Sequence, residues 1–496
     1  MKQQDRILST GIAGLDVILA GGLMPGRLYL VEGEPGTGKT TTALQFLAEG
    51  VKHGESVLYI TLAESAVELR AVAESHGWDL AGIHVHEVIG DERLLDASQQ
   101  YTMFHPSEVE MGDTIQKILN VVAERKPSRV VLDSLSELQL LAENPLRYRR
   151  QVLALKQFFA NERCTAFFLD DRTAKNGDLQ VRSIAHAVLM FEQDTKEYGS
   201  ERRRVRIIKY RGVDFRGGYH YYKIERGGLV VYPRLIAAQS RVMQKRAQVT
   251  SGLPPLDMLL GGGIEEGTST LLAGPPGTGK SSLAAQFVHT ALKRGERAAM
   301  FLFEESVSNL INRSEALHMN LSEYMHTGAL TIQQVDPAEL SPGEFVHTVC
   351  QMAGDGAKVI VIDSLNGFMN AMPGERLLTT HLHELLTYLG QRGVVTLLIG
   401  VQQGMLGPTA STTLDTSYLA DNIVMLRYFE AGGEVKQAIA VFKKRGGYHE
   451  RTLRRFKLSS DGIEVGEVLR EFHGILTGVP QLAKPARAAA PKNRDA

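Results

Sequence analysis

One phosphate-binding pattern occurs twice in this sequence and constrains the fold more than any other feature. The pattern G-x-x-x-x-G-K-[ST] is met at residues 33–40 and again at residues 274–281. Glycines allow successive backbone N–H groups to turn toward a polyphosphate, and the helix that follows directs its positive end at the same anion. An apolar run precedes each loop and a helical pattern follows it, which is the context that the pattern requires. The sequence therefore predicts two nucleotide-binding loops, each between a strand and a helix.

The residues of these loops have distinct predicted roles in holding ATP and Mg²⁺. The lysine places a charge near the outer phosphates, and the hydroxyl residue after it binds Mg²⁺. Asp133 and Asp363 each end an apolar run, where a carboxylate completes the Mg²⁺ shell. The predicted metal ligands are Thr40, Asp133, Ser281 and Asp363. The predicted nucleotide-binding residues are Gly33, Gly36, Thr37, Gly38, Lys39, Thr40, Thr41, Gly274, Gly277, Thr278, Gly279, Lys280, Ser281 and Ser282.

The sequence around the loops is also repeated, so we interpret the chain as a duplicated domain. Residues 9–16 are echoed by 250–257, residues 56–61 by 298–303, and residues 129–134 by 358–364. The last two pairs are apolar runs typical of buried parallel strands, and helical patterns lie between them. Alternating strands and helices predict an α/β fold with two tandem P-loop NTPase domains, each with a mostly parallel central sheet and helices on both faces.

The repeat also predicts the domain boundaries. Residues 1–234 form the N-terminal domain, 235–249 a polar linker, 250–480 the C-terminal domain, and 481–496 a disordered tail rich in Ala, Pro, Lys and Arg. Each domain closes with strand-like residues, at 202–210 and 435–445. The spacing of Val468, Phe472 and Ile475 predicts a helix that docks on the domain before the tail.

Composition excludes several classes of protein. The formal net charge of −1 gives no overall attraction to nucleic acid or to anionic lipid. No apolar run approaches ~20 residues and no signal peptide is recognisable, so we expect a cytoplasmic protein without membrane association. The presence of only two cysteines, Cys164 and Cys350, excludes a disulfide framework, and the 15 histidines show no metal-binding spacing.

Hydrolysis of ATP also requires a group that orients or deprotonates water. Glu304 and Glu305 follow the second strand of the C-terminal half, and Ala63 and Glu64 occupy the matching place in the N-terminal half. The three glutamates are therefore candidate catalytic residues. Adjacent side chains of an extended chain point in opposite directions, and the sequence leaves open which glutamate faces the nucleotide.

Two basic clusters stand at equivalent ends of the halves, Lys209 with Arg211 and Lys443 with Arg445. A cation supplied across a subunit interface to the phosphates of a neighbour would suit these positions. The nearby residues 202–206 are interpreted as a solvated face of a hairpin. Nucleic-acid binding by such basic patches is an open alternative.

These motifs together resemble the KaiC family of RecA-like, double-domain ATPases. The resemblance rests on the two P-loops, the opening S-T-G-I-x-G-L-D, Glu304-Glu305 and the Lys-x-Arg-Gly hairpins, and it extends over residues 7–480. It implies a two-tiered homohexamer with ATP at the subunit interfaces, a first tier that is an ATPase and a second tier that phosphorylates its own subunits. It also implies that regulatory protein partners bind at the C-terminal tail. By position, Glu304 would be the base of the second tier and Glu305 its companion, while Lys209, Arg211, Lys443 and Arg445 would act in trans.

The chain departs from the family pattern in two places. The family's phosphoacceptors are an adjacent Ser-Thr pair before a strand, and here the pair falls on Ser417 and Tyr418. Because a tyrosine hydroxyl lies several ångströms farther from the backbone than a threonine hydroxyl, an ordered two-site cycle is not expected, and single-site phosphorylation of Ser417 is our hypothesis. Ala63 replaces the first glutamate of the family's pair, which predicts weak ATPase activity in residues 1–234.

Two other functions fit the same predicted fold. A RecA-like DNA motor, either a recombinase or a helicase, would show salt-dependent DNA binding and DNA-stimulated ATPase activity. A nucleotide-gated scaffold would have ring assembly as its output, with turnover incidental. The near-neutral charge and the phosphoacceptor-like residues 417–418 favour a self-phosphorylating ATPase that acts in signalling or clock-like regulation.

Overall fold

The computed structural model describes residues 7–88, 106–142, 144–171, 179–195, 199–237, 247–336, 338–370, 377–401, 418–475 and 481–482. The chain divides into two compact units, Met1–Arg234 and Leu235–Ala496. Within the described residues, each unit is built on one nine-stranded sheet.

The elements alternate between strands and helices through most of each unit. Those of the first unit are α1 (Ala13–Ile18), β1 (Leu28–Gly33), α2 (Lys39–Lys52), β2 (Val57–Thr61), α3 (Ala66–Ser75), β3 (Ile83–Glu87), α4 (Pro106–Arg125), β4 (Arg129–Asp133), α5 (Leu135–Ala142), α6 (Pro145–Asn161), β5 (Thr165–Asp171), α7 (Leu179–Ile184), β6 (Ala187–Asp194), β7 (Arg202–Tyr210), β8 (His220–Glu225) and β9 (Gly228–Tyr232). Those of the second unit are β10 (Gln248–Val249), α8 (Pro254–Leu259), β11 (Ile264–Glu265), β12 (Ser269–Gly274), α9 (Lys280–Lys293), β13 (Arg297–Leu302), α10 (Val307–Ala316), α11 (Leu321–His326), β14 (Leu330–Gln334), α12 (Pro342–Gly354), β15 (Ala357–Asp363), α13 (Leu365–Asn370), α14 (Leu378–Gln391), β16 (Val395–Val401), β17 (Asn422–Ala431), β18 (Glu434–Lys444), β19 (Arg454–Ser459), β20 (Gly462–Val468), β21 (Phe472–His473) and β22 (Gln481–Leu482).

The two sheets have the same strand order, place by place. The order is β3-β2-β4-β5-β1-β6-β7-β8-β9 in the first unit and β14-β13-β15-β16-β12-β17-β18-β19-β20 in the second. In this order, the first six strands of each sheet run parallel to one another. The last three strands, β7 to β9 and β18 to β20, continue each sheet as antiparallel hairpins. The prediction of tandem RecA-like α/β domains is confirmed.

The central strand of each sheet is buried on both faces, which explains the apolar runs before the P-loops. Every residue of β1 and of β12 is buried. Tyr29 and Val31 of β1 pack into the core on one face of the sheet, while Leu28 and Leu30 pack into the core on the other. The P-loop strand therefore lies in the middle of the sheet, where surrounding packing holds the start of the loop in place.

The repeated opening motif forms the same pair of hydrogen bonds to an aspartate in both units. The Asp16 carboxylate accepts bonds from Thr10 N at 2.8 Å and Thr10 Oγ1 at 2.7 Å. The Asp257 carboxylate accepts from Ser251 N at 2.7 Å and Ser251 Oγ at 2.8 Å. Side-chain bonds of this kind fix an irregular backbone that has no ladder partner. The motif thus has a structural role at the entry to α1 and α8.

The predicted C-terminal docking helix is wrong. Val468 ends β20, and Phe472 lies in β21, which pairs with β22. Phe472 and Ile475 pack against Phe429 of the antiparallel hairpin, where Ile475 is buried and Phe472 is partly buried, so the segment docks on the unit without forming the predicted helix. Three apolar positions do not distinguish a helix turn from strands joined by a bend. The strand Gln481–Leu482 also begins the tail that was expected to be disordered, and the rest of that tail lies outside the described residues.

Candidate nucleotide-binding sites

Both P-loops connect the central strand of a sheet to the helix that follows. Gly33 ends β1 and Lys39 begins α2, and Gly274 ends β12 and Lys280 begins α9. The carboxyl ends of parallel strands are the place where open α/β sheets bind ligands. The hydroxyl residues predicted to bind Mg²⁺ or phosphate lie in the first turn of each helix: Thr40 and Thr41 in α2, Ser281 and Ser282 in α9.

Glycine is required inside each loop for conformation and for space. The φ angles are 82° at Gly36, 84° at Gly38, 78° at Gly277 and 90° at Gly279. Residues with a Cβ rarely adopt this left-handed region. A Cβ on Gly38 would also lie 2.7 Å from Cδ1 of Ile224, because the antiparallel hairpin packs against the loop.

The threonine and the lysine of each loop bond to carbonyls of the same loop. Thr37 Oγ1 donates to the Glu34 carbonyl at 2.7 Å, and Lys39 Nζ donates to the Gly33 carbonyl at 2.8 Å. In the second unit Thr278 Oγ1 and Lys280 Nζ both donate to the Pro275 carbonyl, at 2.8 and 2.7 Å. These bonds fix the path of each loop around its lysine.

In the first unit the P-loop lysine also meets a carboxylate that the sequence analysis missed. Asp171 ends β5 beside Gly33, and its Oδ1 lies 2.7 Å from Lys39 Nζ. The same register in the second unit places Val401 beside Gly274. Two aspartates at the end of a buried strand were a usable signal, but the sequence does not say that β5 lies next to β1.

A cavity of about 350 Å³ lies at the first loop. Its lining includes Lys39, Glu64, Asp133 and Asp171. Carboxylates outnumber the lysine at this surface, and a bound divalent cation would supply the missing positive charge. The residues present therefore fit a nucleotide that arrives with Mg²⁺.

Asp133 and Asp363 occupy equivalent strand ends beside the loops. Burial raises the pKa of Asp133, although hydrogen bonds from the hydroxyls of Tyr59 and Thr40 act in the opposite direction. Burial likewise raises the pKa of Asp363, against a hydrogen bond from Ser281. A buried carboxylate next to a hydroxyl is favoured in its ionised form when a metal ion binds both.

The second site contains a buried carboxylate oxygen that would fit a bound cation. Oδ2 of Asp363 is buried and has no hydrogen-bond partner among the described residues. Burial also lowers the pKa of Lys280 to about 8, with Asp363 and Glu304 partly opposing that shift. A buried polar atom without a partner is costly, and Mg²⁺ between Asp363 and Ser281 would satisfy it.

The register of the strands aligns the candidate glutamates of the two units. Thr61 pairs with Asp133 and Leu302 pairs with Asp363, so Ala63 corresponds to Glu304 and Glu64 to Glu305. The next residue in each unit is a serine that caps the following helix. The first unit therefore lacks a carboxylate where the second unit has Glu304.

Glu305 and Glu64 have different surroundings despite their equivalent positions. Arg313 of α10 donates to both oxygens of Glu305, with Nη2 at 2.9 Å from Oε2. Val72 stands at the position of Arg313 in the first unit, and Oε2 of Glu64 is buried without a partner among the described residues. Burial raises the pKa of Glu64, and the charge of Asp133 raises it further. Glu304 is exposed, and Arg313 donates to Glu305 rather than to Glu304.

The basic clusters lie at the opposite end of each sheet from the P-loop of the same unit. Tyr29, near the start of β1, pairs with Ala187, which in turn pairs with Tyr210. Lys209 and Arg211 flank this amino end, whereas the P-loop begins after Gly33. In the second unit, Thr270 near the start of β12 pairs with Asn422, and Asn422 pairs with Lys444. Lys443 and Arg445 therefore lie at the amino end of β12 as well. A strand rises about 3.3 Å per residue, so several residues of β1 separate the cations from their own loop.

The interpretation of residues 202–206 as a solvated face is wrong in part. Arg202 is 6% exposed and pairs with Asp194 of β6, and the residues after it also pair with β8. Arg204 and Arg206 stack over the Tyr219 ring, with guanidinium carbons 4.7 and 4.9 Å from its centroid. The arginines of this strand are thus partly engaged within the unit.

Of the two proposed phosphoacceptors, only Tyr418 belongs to the described residues. Ser417 lies outside them. Tyr418 is exposed, and its backbone carbonyl accepts a bond from Arg445 Nη2 at 3.1 Å. Arg445 Nη1 also contacts Asp421 Oδ1 at 3.3 Å. The segment before β17 is therefore close to one of the candidate trans cations.

Membrane-spanning helices and clusters of metal-ligating side chains are both absent from the described residues. No helix there combines the length and the apolar character needed to cross a bilayer. No group of three or more His, Cys, Asp or Glu residues could hold a metal ion there.

Comparisons with known proteins show similarity over both units. A family model described as "ATPase: KaiC" matches residues 8–236 and 249–470. The circadian clock protein KaiC3 of Synechocystis sp. (strain ATCC 27184 / PCC 6803 / Kazusa) is 28% identical over 480 residues, covering 95% of this chain and 94% of that protein. The circadian clock oscillator protein KaiC of Parathermosynechococcus lividus is 28% identical over 477 residues, covering 95% and 87%. The protein of that name from Acaryochloris marina (strain MBIC 11017) is 28% identical over 479 residues, covering 95% and 90%.

Proposed function

The chain belongs to the KaiC family of ATPases, and from this premise we propose that it is a two-site, homohexameric ATPase that phosphorylates its own C-terminal unit. The observation that supports shared sites most directly is the position of the basic clusters, Lys209 with Arg211 and Lys443 with Arg445. Each cluster lies at the end of its sheet remote from its own P-loop. A neighbouring copy that presented these cations to the nucleotide would complete both sites, as trans-acting cations do in other NTPases.

In the second unit, Glu304 is proposed to accept the proton of the attacking group. In hydrolysis, the oxygen of water bonds to the γ-phosphorus while the bond to the β–γ bridging oxygen breaks, which leaves ADP and phosphate. In autophosphorylation, the Ser417 hydroxyl of an adjacent copy attacks instead, and the products are phosphoserine and ADP. Ser281 and Asp363 would hold Mg²⁺, which would supply positive charge against the phosphates of the nucleotide. Arg313 supports this assignment because it neutralises Glu305 and leaves Glu304 as the free base.

In the first unit, turnover is proposed to be slow. Ala63 provides no proton acceptor where the second unit has Glu304, and burial together with the charge of Asp133 raises the pKa of Glu64. Glu64 nevertheless lines the cavity and can still orient water. The first unit would then bind Mg-ATP through Thr40 and Asp133, with assembly as its main contribution.

The output is proposed to be signalling to protein partners. The relatives named above are circadian clock proteins, and by that likeness we propose a clock-like or related regulatory role. Residues 481–496 are the proposed docking region for regulatory partners. Phosphorylation of the C-terminal unit would change the charge beside the subunit interface, which is a direct way to alter assembly or partner binding.

One experiment tests assembly and phosphorylation together. The full chain is incubated with Mg-ATP or Mg-ADP, and native mass spectrometry is followed by phosphopeptide mapping, with Glu304→Gln as the matched control. We expect hexamers with Mg-ATP, phosphate on Ser417 and none in the control. A chain that stays monomeric at saturating nucleotide contradicts the hexamer, and an unmodified Ser417 contradicts the kinase assignment. Turnover stimulated by DNA would instead support the RecA-like motor.

A further inference from the structure

A buried tyrosine of the first unit bonds to one of the carboxylates predicted to hold Mg²⁺. The Tyr59 side chain is fully buried on β2, and its hydroxyl donates to Oδ2 of Asp133 at 2.5 Å. Tyr59 pairs with Val131 of β4, and Asp133 lies two residues farther along that strand. Alternate residues of a strand share one face, which here is the face covered by α2. The hydroxyl therefore reaches the carboxylate from within the core.

The hydroxyl of Tyr59 interacts with the predicted metal ligands of the first site. A tyrosine hydroxyl that is buried usually needs a hydrogen-bond partner. Here Asp133 is that partner, and a side-chain hydrogen bond with Thr40 acts on the same hydroxyl. A phenylalanine would fill the same space and would need no polar partner. The oxygen atom of Tyr59 therefore affects Asp133 and Thr40 rather than the packing of the core.

The hydrogen bond from Tyr59 limits how Asp133 can bind a cation. Oδ2 of Asp133 accepts from the tyrosine, which leaves Oδ1 as the available oxygen. Mg²⁺ demands a near-ideal octahedral shell and keeps several of its waters, whereas Ca²⁺ accepts a larger and more flexible shell in which a carboxylate can contribute both oxygens. A carboxylate with one oxygen held by a neighbouring side chain therefore suits Mg²⁺ better than Ca²⁺.

The same bond fixes the orientation of the carboxylate before a cation arrives. Core packing holds the Tyr59 ring, and rotation of the Asp133 carboxylate would break the hydrogen bond to it. Removing a group that orients a metal ligand through a hydrogen bond typically lowers metal affinity by about 10–100-fold. Tyr59 thus acts on the cation through Asp133, as a positioning residue rather than as a ligand.

The second unit has a methionine in place of this hydrogen-bond donor. The strand register that aligns the two aspartates puts Met300 at the position of Tyr59. Met300 is fully buried as well, but a thioether sulfur cannot donate a hydrogen bond. Oδ2 of Asp363 accordingly has no hydrogen-bond partner among the described residues. That oxygen stays available to a cation, so Asp363 lacks the constraint that Tyr59 imposes on Asp133.

We propose that Tyr59 makes the first site selective for Mg²⁺ over Ca²⁺, because it holds one oxygen of Asp133 and leaves the other to the cation. The second site, with Met300 at this position, discriminates less between the two cations. The inference rests on the proposed binding of Mg-ATP to the first unit through Thr40 and Asp133. It adds that two sites with the same loop motif have different cation preferences, and it assigns the difference to one side chain.

The test removes the hydroxyl without emptying the core. Tyr59→Phe removes only the oxygen atom, and Tyr59→Met gives the first unit the residue of the second. Tyr29→Phe is the matched control, because Tyr29 is equally buried in the same core and its hydroxyl donates to the Met24 carbonyl at the amino end of β1. Every chain is full length and carries Lys280→Ala, so that only the first site binds nucleotide. Thermal melting without ligand shows that each variant is folded.

The affinity for a non-hydrolysable ATP analogue is measured by isothermal titration calorimetry with Mg²⁺, with Ca²⁺ and with EDTA. With Tyr59 unchanged, we expect tighter binding in Mg²⁺ than in Ca²⁺. In Tyr59→Phe and Tyr59→Met the ratio of these two affinities should fall about tenfold, while the affinity in EDTA stays the same. Tyr29→Phe should keep the native ratio. In a chain that carries Lys39→Ala instead of Lys280→Ala, the second site should show a smaller ratio than the first.

The outcomes separate this inference from the proposed function. A role of Tyr59 in packing alone would weaken binding equally in all three solutions and leave the ratio unchanged. That result overturns the inference alone, as does a second site that prefers Mg²⁺ as strongly as the first. If binding to the first site with Tyr59 unchanged is no tighter in Mg²⁺ than in EDTA, the proposed Mg-ATP site is contradicted and the inference fails with it.

Discussion

In the N-terminal unit the P-loop lysine is paired with the carboxylate of Asp171, whereas in the C-terminal unit no described carboxylate lies within 4 Å of Lys280. The equivalent glutamates, Glu64 and Glu305, show the reverse: here it is the second unit that has the ion pair. Glu64 is without an arginine partner among the described residues, and Glu305 is held at both oxygens by Arg313. Duplicated domains can thus keep one phosphate-binding loop and one sheet order while the charges around the loop diverge. The comparison predicts that the two units differ in ATP turnover and in nucleotide affinity.

The largest expected effect tests what the units share. Replacing Lys39 and Lys280 together by alanine removes a buried cation from each phosphate site, at a cost of about 2–5 kcal/mol per site. We expect nucleotide-dependent assembly and ATP turnover to fall to background. Lys52→Ala with Lys293→Ala is the matched control, because these lysines end the same two helices. A double variant that still assembled and consumed ATP at the native rate would contradict both sites.

The next effect tests the difference in the glutamates. Glu304→Gln removes the proposed proton acceptor and should lower steady-state turnover about 10²-fold or more, with little change in nucleotide affinity. Ala63→Glu places a carboxylate at the equivalent position of the first unit and should raise the turnover that remains in a Lys280→Ala background. The measurement is phosphate release by the full chain, and Glu305→Gln serves as the comparison variant. Unchanged turnover in Glu304→Gln would show that a group other than Glu304 accepts the proton.

A smaller effect is expected from the carboxylate that pairs with Lys39. Asp171→Val gives the first unit the residue of the second, and it frees the lysine to interact with phosphate. We expect ATP-analogue affinity at the first site to increase by about threefold to tenfold, since a partly exposed ion pair contributes about 1 kcal/mol. The reciprocal change, Val401→Asp, should weaken the second site. Affinities are measured with the other P-loop lysine replaced by alanine, and a loss of affinity in Asp171→Val would assign Asp171 a direct role in binding.

The last effect, which is the smallest near neutral pH, is a pH dependence of the second site. The pKa of Lys280 is lowered to about 8, and bound phosphates favour its charged form. Below pH 8 the ammonium is already present, while above pH 8 binding must take up a proton. The affinity should therefore fall as pH rises above 8, approaching tenfold per pH unit. Titration of an ATP analogue in the Lys39→Ala variant between pH 7 and 9.5 checks this, and a flat profile would exclude the lysine as the titrating group.

Local patterns predicted the fold and the positions of the loops, because glycine spacing and hydrophobic periodicity act over a few residues. The helices after the loops and the strands that end in Asp133 and Asp363 lie where the sequence placed them. The helix predicted from Val468, Phe472 and Ile475 failed because three apolar positions are also compatible with strands and a bend. Asp171 was missed because the neighbour of β1 in the sheet comes from a distant part of the chain.

The sequence by itself determined that the chain is a duplicated P-loop protein, since both loops carry their residues within a single short motif. Only the tertiary structure decided which charged groups meet. It brought Arg313 to Glu305, Asp171 to Lys39, and the hydroxyl of Tyr59 to Asp133. The physical reason is that electrostatic interaction depends on distance through space and on burial, and neither can be read from separation along the chain.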